Sequence, residues 1–208
     1  MKLFVTGTDT GVGKTFVAAM LARTAVERGL KVLAWKPIET GVTGEFGDDQ
    51  NTLFEAAGSW QSDELRGLYR FKASAAPLVA ARAEGKHIDI PTIAERLPAD
   101  IAQVVVVEGA GGWRVPVTEN DDMAALARRL RLPVLVVARA GLGSINHTLL
   151  TIEAIRKDKC ALKGVVLSVK PTDDADLCAS NAAEIARVGN VPVHVLGTPA
   201  DLWAFCST

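Results

Sequence analysis

The stretch of residues 3–15, LFVTGTDTGVGKT, limits what this chain can fold into more than any other. Residues 2–6 are short, apolar and of buried-strand character. They run into a glycine-rich turn that ends in Gly13, Lys14 and Thr15 and opens an alanine-rich segment. In a strand–turn–helix of this kind, backbone N–H groups converge on phosphate oxygens and the positive end of the helix dipole points at the same place. Lys14 is then placed to reach β- and γ-phosphates, and the Thr15 hydroxyl to ligate Mg²⁺. The spacing departs from the G-x-x-x-x-G-K-[ST] rule by one place, because Thr8 stands where the first glycine is expected and Gly7 comes one residue early.

The rest of the chain alternates strand and helix. Residues 15–28 carry Val17, Met20, Leu21 and Ala25 near helical spacing and stop at Gly29. A second strand over 31–36 closes on Pro37, which cannot extend a ladder. Residues 40–48 hold three glycines without periodicity and read as a loop. Asp48 or Asp49 can cap the helix that follows, which holds Leu53, Phe54 and Ala57 on one side. Residues 59–76 are weakly patterned, and 77–84 and 92–97 read as helices. Residues 103–107 are nearly pure valine, as a central parallel strand covered on both faces requires. Helices at 121–131, 145–156 and 175–188 then alternate with strands at 133–138, 162–169 and 193–196. The connection lengths suit right-handed crossovers, so the chain reads as one α/β domain over 1–208 with a doubly wound, mostly parallel sheet.

Bulk properties narrow the function. The net charge is −1 and no Lys/Arg run exceeds two residues, so neither nucleic acid nor an anionic membrane is an expected partner. Cys160, Cys178 and Cys206 lie far apart with no C-x-x-C pair, which suits buried thiols in a reducing compartment. There is no charged leader and no apolar run near the roughly 18 residues of a membrane span, so a cytoplasmic protein is expected.

In an open α/β sheet, ligands sit beyond the carboxyl ends of the strands. Four strand ends here carry polar or glycine features. Besides the phosphate loop they are Lys36-Pro37-Ile38-Glu39-Thr40-Gly41, then Glu108-Gly109-Ala110-Gly111-Gly112, then the run from Gly141 to Asn146. Lys36 beside a phosphate loop becomes a second cation for a negatively charged substrate. Glu108 follows four valines; a buried carboxylate is costly unless paired or metal-bound, and beside Thr15 the metal role is economical. The pair Asp48-Asp49 offers a third oxygen ligand or a helix cap. Glycines 109, 111 and 112 let the backbone approach a ligand. The turn at 141–144 precedes a helix and offers a second anion site. Trp35, Trp113 and His147 read as packing or structural residues.

Together VTGTDTGVGKT (5–15), KPIETG (36–41), VEGAGGWRVP (107–116) and LGSINHTLLT (142–151) resemble the ATP-dependent dethiobiotin synthetase family of biotin biosynthesis, in order and spacing along most of the chain. The resemblance implies a sheet of the P-loop NTPase type. It implies a homodimeric, Mg²⁺- and ATP-dependent ligase that closes a ureido ring on 7,8-diaminononanoate with CO₂. One amine takes up CO₂ as a carbamate, whose oxygen attacks the γ-phosphate to give a carbamic–phosphoric anhydride; the second amine then displaces phosphate. Residues Asp9, Thr10, Gly11, Val12, Gly13, Lys14 and Thr15 would hold the nucleotide with Glu108, Gly111, Ser168 and Pro199. Lys36, Lys14 and Thr10 would handle carbamate and phosphoryl charge, and Thr15, Asp49 and Glu108 the Mg²⁺. Thr40 and Gly111 would contact the diamine, whose carboxylate would meet Gly143, Ser144, Ile145 and Asn146 of the second subunit. Gly11 stands where some members have glutamate, and Ser168 where some have the asparagine that reads adenine. A partition-type nucleotide switch would carry a lysine where this chain has Asp9. A cobyrinate-type amidoligase would continue into a glutaminase domain.

Overall fold

Six strands running in the same direction form the sheet on which the site is built. The computed structural model describes residues 1–98, 100–197 and 201–207. Along them come β1 (Lys2–Gly7), α1 (Lys14–Glu27), β2 (Val32–Trp35), β3 (Ile38–Thr40) and α2 (Asp48–Ala56). Next are α3 (Asp63–Arg66), β4 (Tyr69–Phe71), α4 (Pro77–Ala83), α5 (Ile90–Glu95) and β5 (Val104–Gly112). Then follow α6 (Met123–Leu130), β6 (Val134–Arg139), α7 (Ser144–Lys157), β7 (Leu162–Ser168), α8 (Ala175–Gly189), β8 (Val193–Val195) and α9 (Leu202–Ser207). The main sheet has the order β2-β5-β1-β6-β7-β8, all parallel.

The valine run occupies the interior of this sheet, with β2 on one side and β1 on the other. Its alternate residues feed two apolar layers. Val105 and Val107 join Phe4, Leu33 and Trp35 beneath α4, α5, α6, α7 and α8. Val104 and Val106 join Leu3, Val5, Val32 and Ala34 beneath α1, α2 and α9. A strand buried on both faces has no polar alternation, which is why it reads as continuous valine. Trp35 and Trp113 are packing residues: both are buried, and Trp113 meets Phe4 edge to face at 6.5 Å between ring centroids. Cys178 and Cys206 are buried free thiols, and burial pushes the Cys206 thiol up to about 12.

Several local expectations change. Pro37 ends β2's ladder, but the chain resumes as β3, which pairs in parallel with β4 from the weakly patterned stretch, Ile38 opposite Tyr69 and Thr40 opposite Phe71. The valine strand does not stop at Val107; β5 runs on through the glycines to Gly112. Between its pairing with Val5 at Glu108 and with Gly7 at Gly112 the register shifts, so the intervening glycines bulge beside the phosphate loop. The early glycine also finds its reason. A Cβ on Gly7 would lie 2.7 Å from the Asp9 carbonyl oxygen and 2.9 Å from Val12 Cγ2, so no side chain fits there.

Candidate active site

The loop between β1 and α1 turns sharply enough that Gly13, the residue before α1, has φ 99°, a left-handed conformation glycine adopts freely. The first turn of α1 contains no acidic residue, so nothing within the helix competes for its positive end. Val12 is buried under the loop. The exposed Asp9 organises the loop through both ends, its carboxylate accepting from Thr10 N at 2.7 Å and its carbonyl from Lys14 Nζ at 3.1 Å.

A cavity of about 680 Å³ opens above this loop. Thr10, Gly11, Gly13, Lys14 and Thr15 form its floor; Lys36, Thr40, Asp49, Glu108 and Gly111 reach it from other elements. Lys36 is buried at the end of β2, Glu108 is 1% exposed in β5, and Asp49 sits in the first turn of α2. Lys36 Nζ donates to Glu108 Oε1 at 2.9 Å and also to the Asp49 carboxylate. Thr15 Oγ1 donates to the same Glu108 oxygen at 2.9 Å. The other oxygen, Glu108 Oε2, is buried and has no hydrogen-bond partner.

The charges follow from this packing. Burial alone would push Lys36 down, but Glu108 and Asp49 outweigh it and hold the ammonium above its ordinary value. Lys14 goes the other way: burial lowers it, with Glu108 opposing. For Asp49 the burial cost is outweighed by Lys36 and the Thr15 hydroxyl, so its carboxyl is held below the usual range. Lys36 is therefore a fixed positive charge at neutral pH.

An oxygen-donor set of two carboxylates and a hydroxyl, with one buried carboxylate oxygen unpartnered, suits Mg²⁺. That ion takes one or two protein carboxylates and completes its shell with phosphate and water. Among the described residues no group of three or more His, Cys, Asp or Glu is assembled for a metal.

The remaining expected residues fall in different places. Ser168, at the end of β7, sits behind the loop so closely that a Cβ on Gly13 would be 2.8 Å from its Oγ. Gly111, at φ 66°, lies at the wall, where a Cβ would approach Val115 Cγ2 at 2.8 Å. Gly143, Ser144, Ile145 and Asn146 start α7 and do not line this cavity. Gly143 caps that helix at φ 84°, and Ser144 Oγ is buried without a partner. Pro199 lies outside the described residues.

The cap of α2 comes from elsewhere than expected. Gly47 is the N-cap residue, and the first-turn N–H groups of Asp49 and Gln50 donate to the carboxylate of Glu39 in β3, at 3.0 and 2.8 Å. Asp49 is thereby free to face Lys36, whereas Asp48 is exposed. Glu39 itself lines the cavity, as do Ser74, Ala75 and Pro77. None of these stood out in the sequence. The available signals were a carboxylate inside the strand-like I-E-T and a proline at the first position of a helix.

A family model described as an AAA domain matches residues 1–198. The ATP-dependent dethiobiotin synthetase of Anaeromyxobacter dehalogenans is 47% identical over 188 residues, covering 89% of this chain and 84% of that one. The protein of the same name in Anaeromyxobacter sp. (strain K) is 47% identical over 204 residues, covering 96% of this chain and 91% of its own. Among solved structures, apo McdA of Cyanthece superposes with a TM-score of 0.57 at 13% identity, over 98% of this chain and 90% of that one. At that identity the likeness concerns the fold, which is of the P-loop NTPase type. With relatives this similar over nearly their whole length, the chain belongs to the family of ATP-dependent dethiobiotin synthetases.

Proposed function

We propose that this protein is an ATP-dependent dethiobiotin synthase that closes the ureido ring on 7,8-diaminononanoate using CO₂. The observation that carries the reading is the convergence of two buried lysines, Lys14 and Lys36, on one cavity with Glu108, whose second oxygen is unpartnered. Two cations facing one cavity suit a reaction that gathers negative charge from two anions, a triphosphate and a carbamate.

In this reading residues 9–15 cradle the triphosphate, with Lys14 on the β- and γ-phosphates. Thr15, Asp49 and Glu108 hold Mg²⁺, which supplies charge neutralisation on the phosphate oxygens. One amine of the substrate adds to CO₂ and loses a proton, and Lys36 holds the resulting carbamate. Because Glu108 and Asp49 keep Lys36 charged, it acts as an electrostatic partner and not as a base. Thr10 orients the carbamate toward the γ-phosphorus, where its oxygen attacks and ADP leaves. The second amine, positioned by Thr40 and Gly111, then attacks the carbamoyl carbon and phosphate departs. Ser168, at the end of β7, faces the base.

The chain works in this reading as one unit over 1–208 and as a cytoplasmic homodimer. The start of α7 supports the dimer: Leu142 is 94% exposed, Leu150 is 56% exposed, and Ser144 Oγ is a buried group without a partner. Gly143, Ser144, Ile145 and Asn146 of each subunit receive the carboxylate of the diamine bound in the other. No helix among the described residues is long and apolar enough to cross a membrane.

Incubation with the diamine, bicarbonate, ATP and Mg²⁺ should yield a product heavier by one carbonyl unit less two hydrogens, read by mass spectrometry, and in equal amount to ADP. ADP without that product would refute the assignment.

A further inference from the structure

Lys36 and Asp49 are on separate elements, yet those elements grip each other from both sides. Glu39, three residues after Lys36, accepts from Asp49 N at 3.0 Å through Oε1 and from Gln50 N at 2.8 Å through Oε2. In return Gln50 Nε2 donates to the Lys36 carbonyl at 3.1 Å, and Gln50 Oε1 accepts from Gly47 N at 3.2 Å. Gln50 is fully buried and Glu39 is 7% exposed. The contact is tight enough that a Cβ on Gly47 would fall 2.1 Å from Glu39 Cδ. A carboxylate suits this place because it offers an acceptor oxygen to each N–H and places negative charge at the positive end of α2. An amide offers one acceptor oxygen.

We propose that Glu39 is a positioning residue for the reaction: by gripping the first turn of α2 it holds Asp49 against Lys36 and Thr15 and so fixes the geometry of the cation site. This rests on the reading of Asp49 as a cation ligand. Glu39 donates nothing to the cation itself; it sets where the ligand's backbone lies. Outer partners of metal ligands commonly govern affinity in this way. The direct consequence is that the gain in nucleotide affinity on adding Mg²⁺ depends on Glu39, whereas metal-free nucleotide binding does not.

The test is calorimetric titration with a non-hydrolysable ATP analogue, in Mg²⁺ and in EDTA, for the wild type, Glu39→Ala, Glu39→Gln and Asp49→Asn. Glu39→Ala should lose about tenfold or more of the Mg²⁺-dependent gain. Glu39→Gln, which keeps one acceptor, should fall between it and the wild type. The two Glu39 variants should bind the analogue in EDTA as the wild type does. Where Glu39→Ala does not fold, judged by thermal melting, Glu39→Gln carries the comparison. If both Glu39 variants keep the full Mg²⁺ gain while Asp49→Asn loses it, the positioning role is refuted and the cation site stands. If Asp49→Asn keeps the gain, the reading of Asp49 falls and the proposal with it. Loss of metal-free binding in the Glu39 variants would mean general support of the fold and would also overturn the proposal.

Discussion

Lys36 Nζ lies 2.9 Å from Glu108 Oε1, with the two side chains 8% and 0% exposed. A charge pair this dry is costly to desolvate and is stable only while both partners stay. Removing one strands the other. We expect Lys36→Ala to lower stability in EDTA by about 3 kcal/mol, because Glu108 then keeps only the Thr15 hydroxyl. Turnover should fall by about a hundredfold or more, as when one preorganised donor is deleted. Nucleotide should still bind, since Lys14 and the loop are intact. Chemical denaturation, turnover and nucleotide titration check the three parts, and a wild-type rate would remove Lys36 from the chemistry.

The close approach of Glu39 to Gly47 is a second point of leverage. Its φ of −76° is ordinary for any residue, so a substitution there acts through contact and not through backbone strain. Gly47→Ala drives a methyl into Glu39 and should cost about 1–3 kcal/mol, in the range of overpacked cores. The change should appear in thermal melting together with a reduced rate. An unchanged melt would mean that the Glu39–α2 contact is looser than described.

Base selectivity should be modest. Ser168 can offer a hydroxyl where an asparagine amide would present a donor and an acceptor side by side. Turnover with CTP and with GTP should therefore lie within about tenfold of that with ATP, since a hydroxyl that can turn to donate or to accept does not tell the bases apart. Side-by-side rates would show it, and a preference for ATP of a thousandfold would place the base reader on other residues.

His194 gives the fold a pH dependence remote from the site. It is buried in β8 with its ring centroid 5.5 Å from that of Phe205 in α9. Burial lowers its pKa from the ordinary 6.5, with Asp201 opposing. The folded state therefore binds a proton less readily than the unfolded chain. Its contribution is fully present above 6.5 and is lost as pH falls below that value. Between about pH 7.5 and about pH 5.5 the wild type should lose more melting temperature than His194→Leu. Equal losses would show that His194 carries no such linkage.

What could be read in the sequence, and what could not, follows from range. The strand–loop–helix over residues 2–28 and the valine strand are local patterns, and the structure carries both. β3 is hidden because Pro37 reads as a strand's end, although the chain turns there onto a different ladder of three residue pairs with β4. The cap of α2 was misread for a related reason. Asp48 and Asp49 are adjacent in sequence to the helix start, and local rules favour them, but Glu39 reaches the same N–H groups from another element. That long-range cap frees Asp49 for Lys36. Lys36 and Thr15 stand out because they sit at a strand end and a helix start, and Glu108 because it breaks a run of four valines; their mutual hydrogen bonds belong to the sheet order, which no single segment encodes.

The central claim is that ATP cleavage in this cavity is tied to ring closure. The most direct measurement is phosphate release from ATP and Mg²⁺ with the diamine and bicarbonate both present, with each omitted in turn, and with both omitted. Release should require both co-substrates and fall to background when either is missing. Release that continues unchanged without the diamine or without bicarbonate would contradict the assignment and point instead to a nucleotide switch.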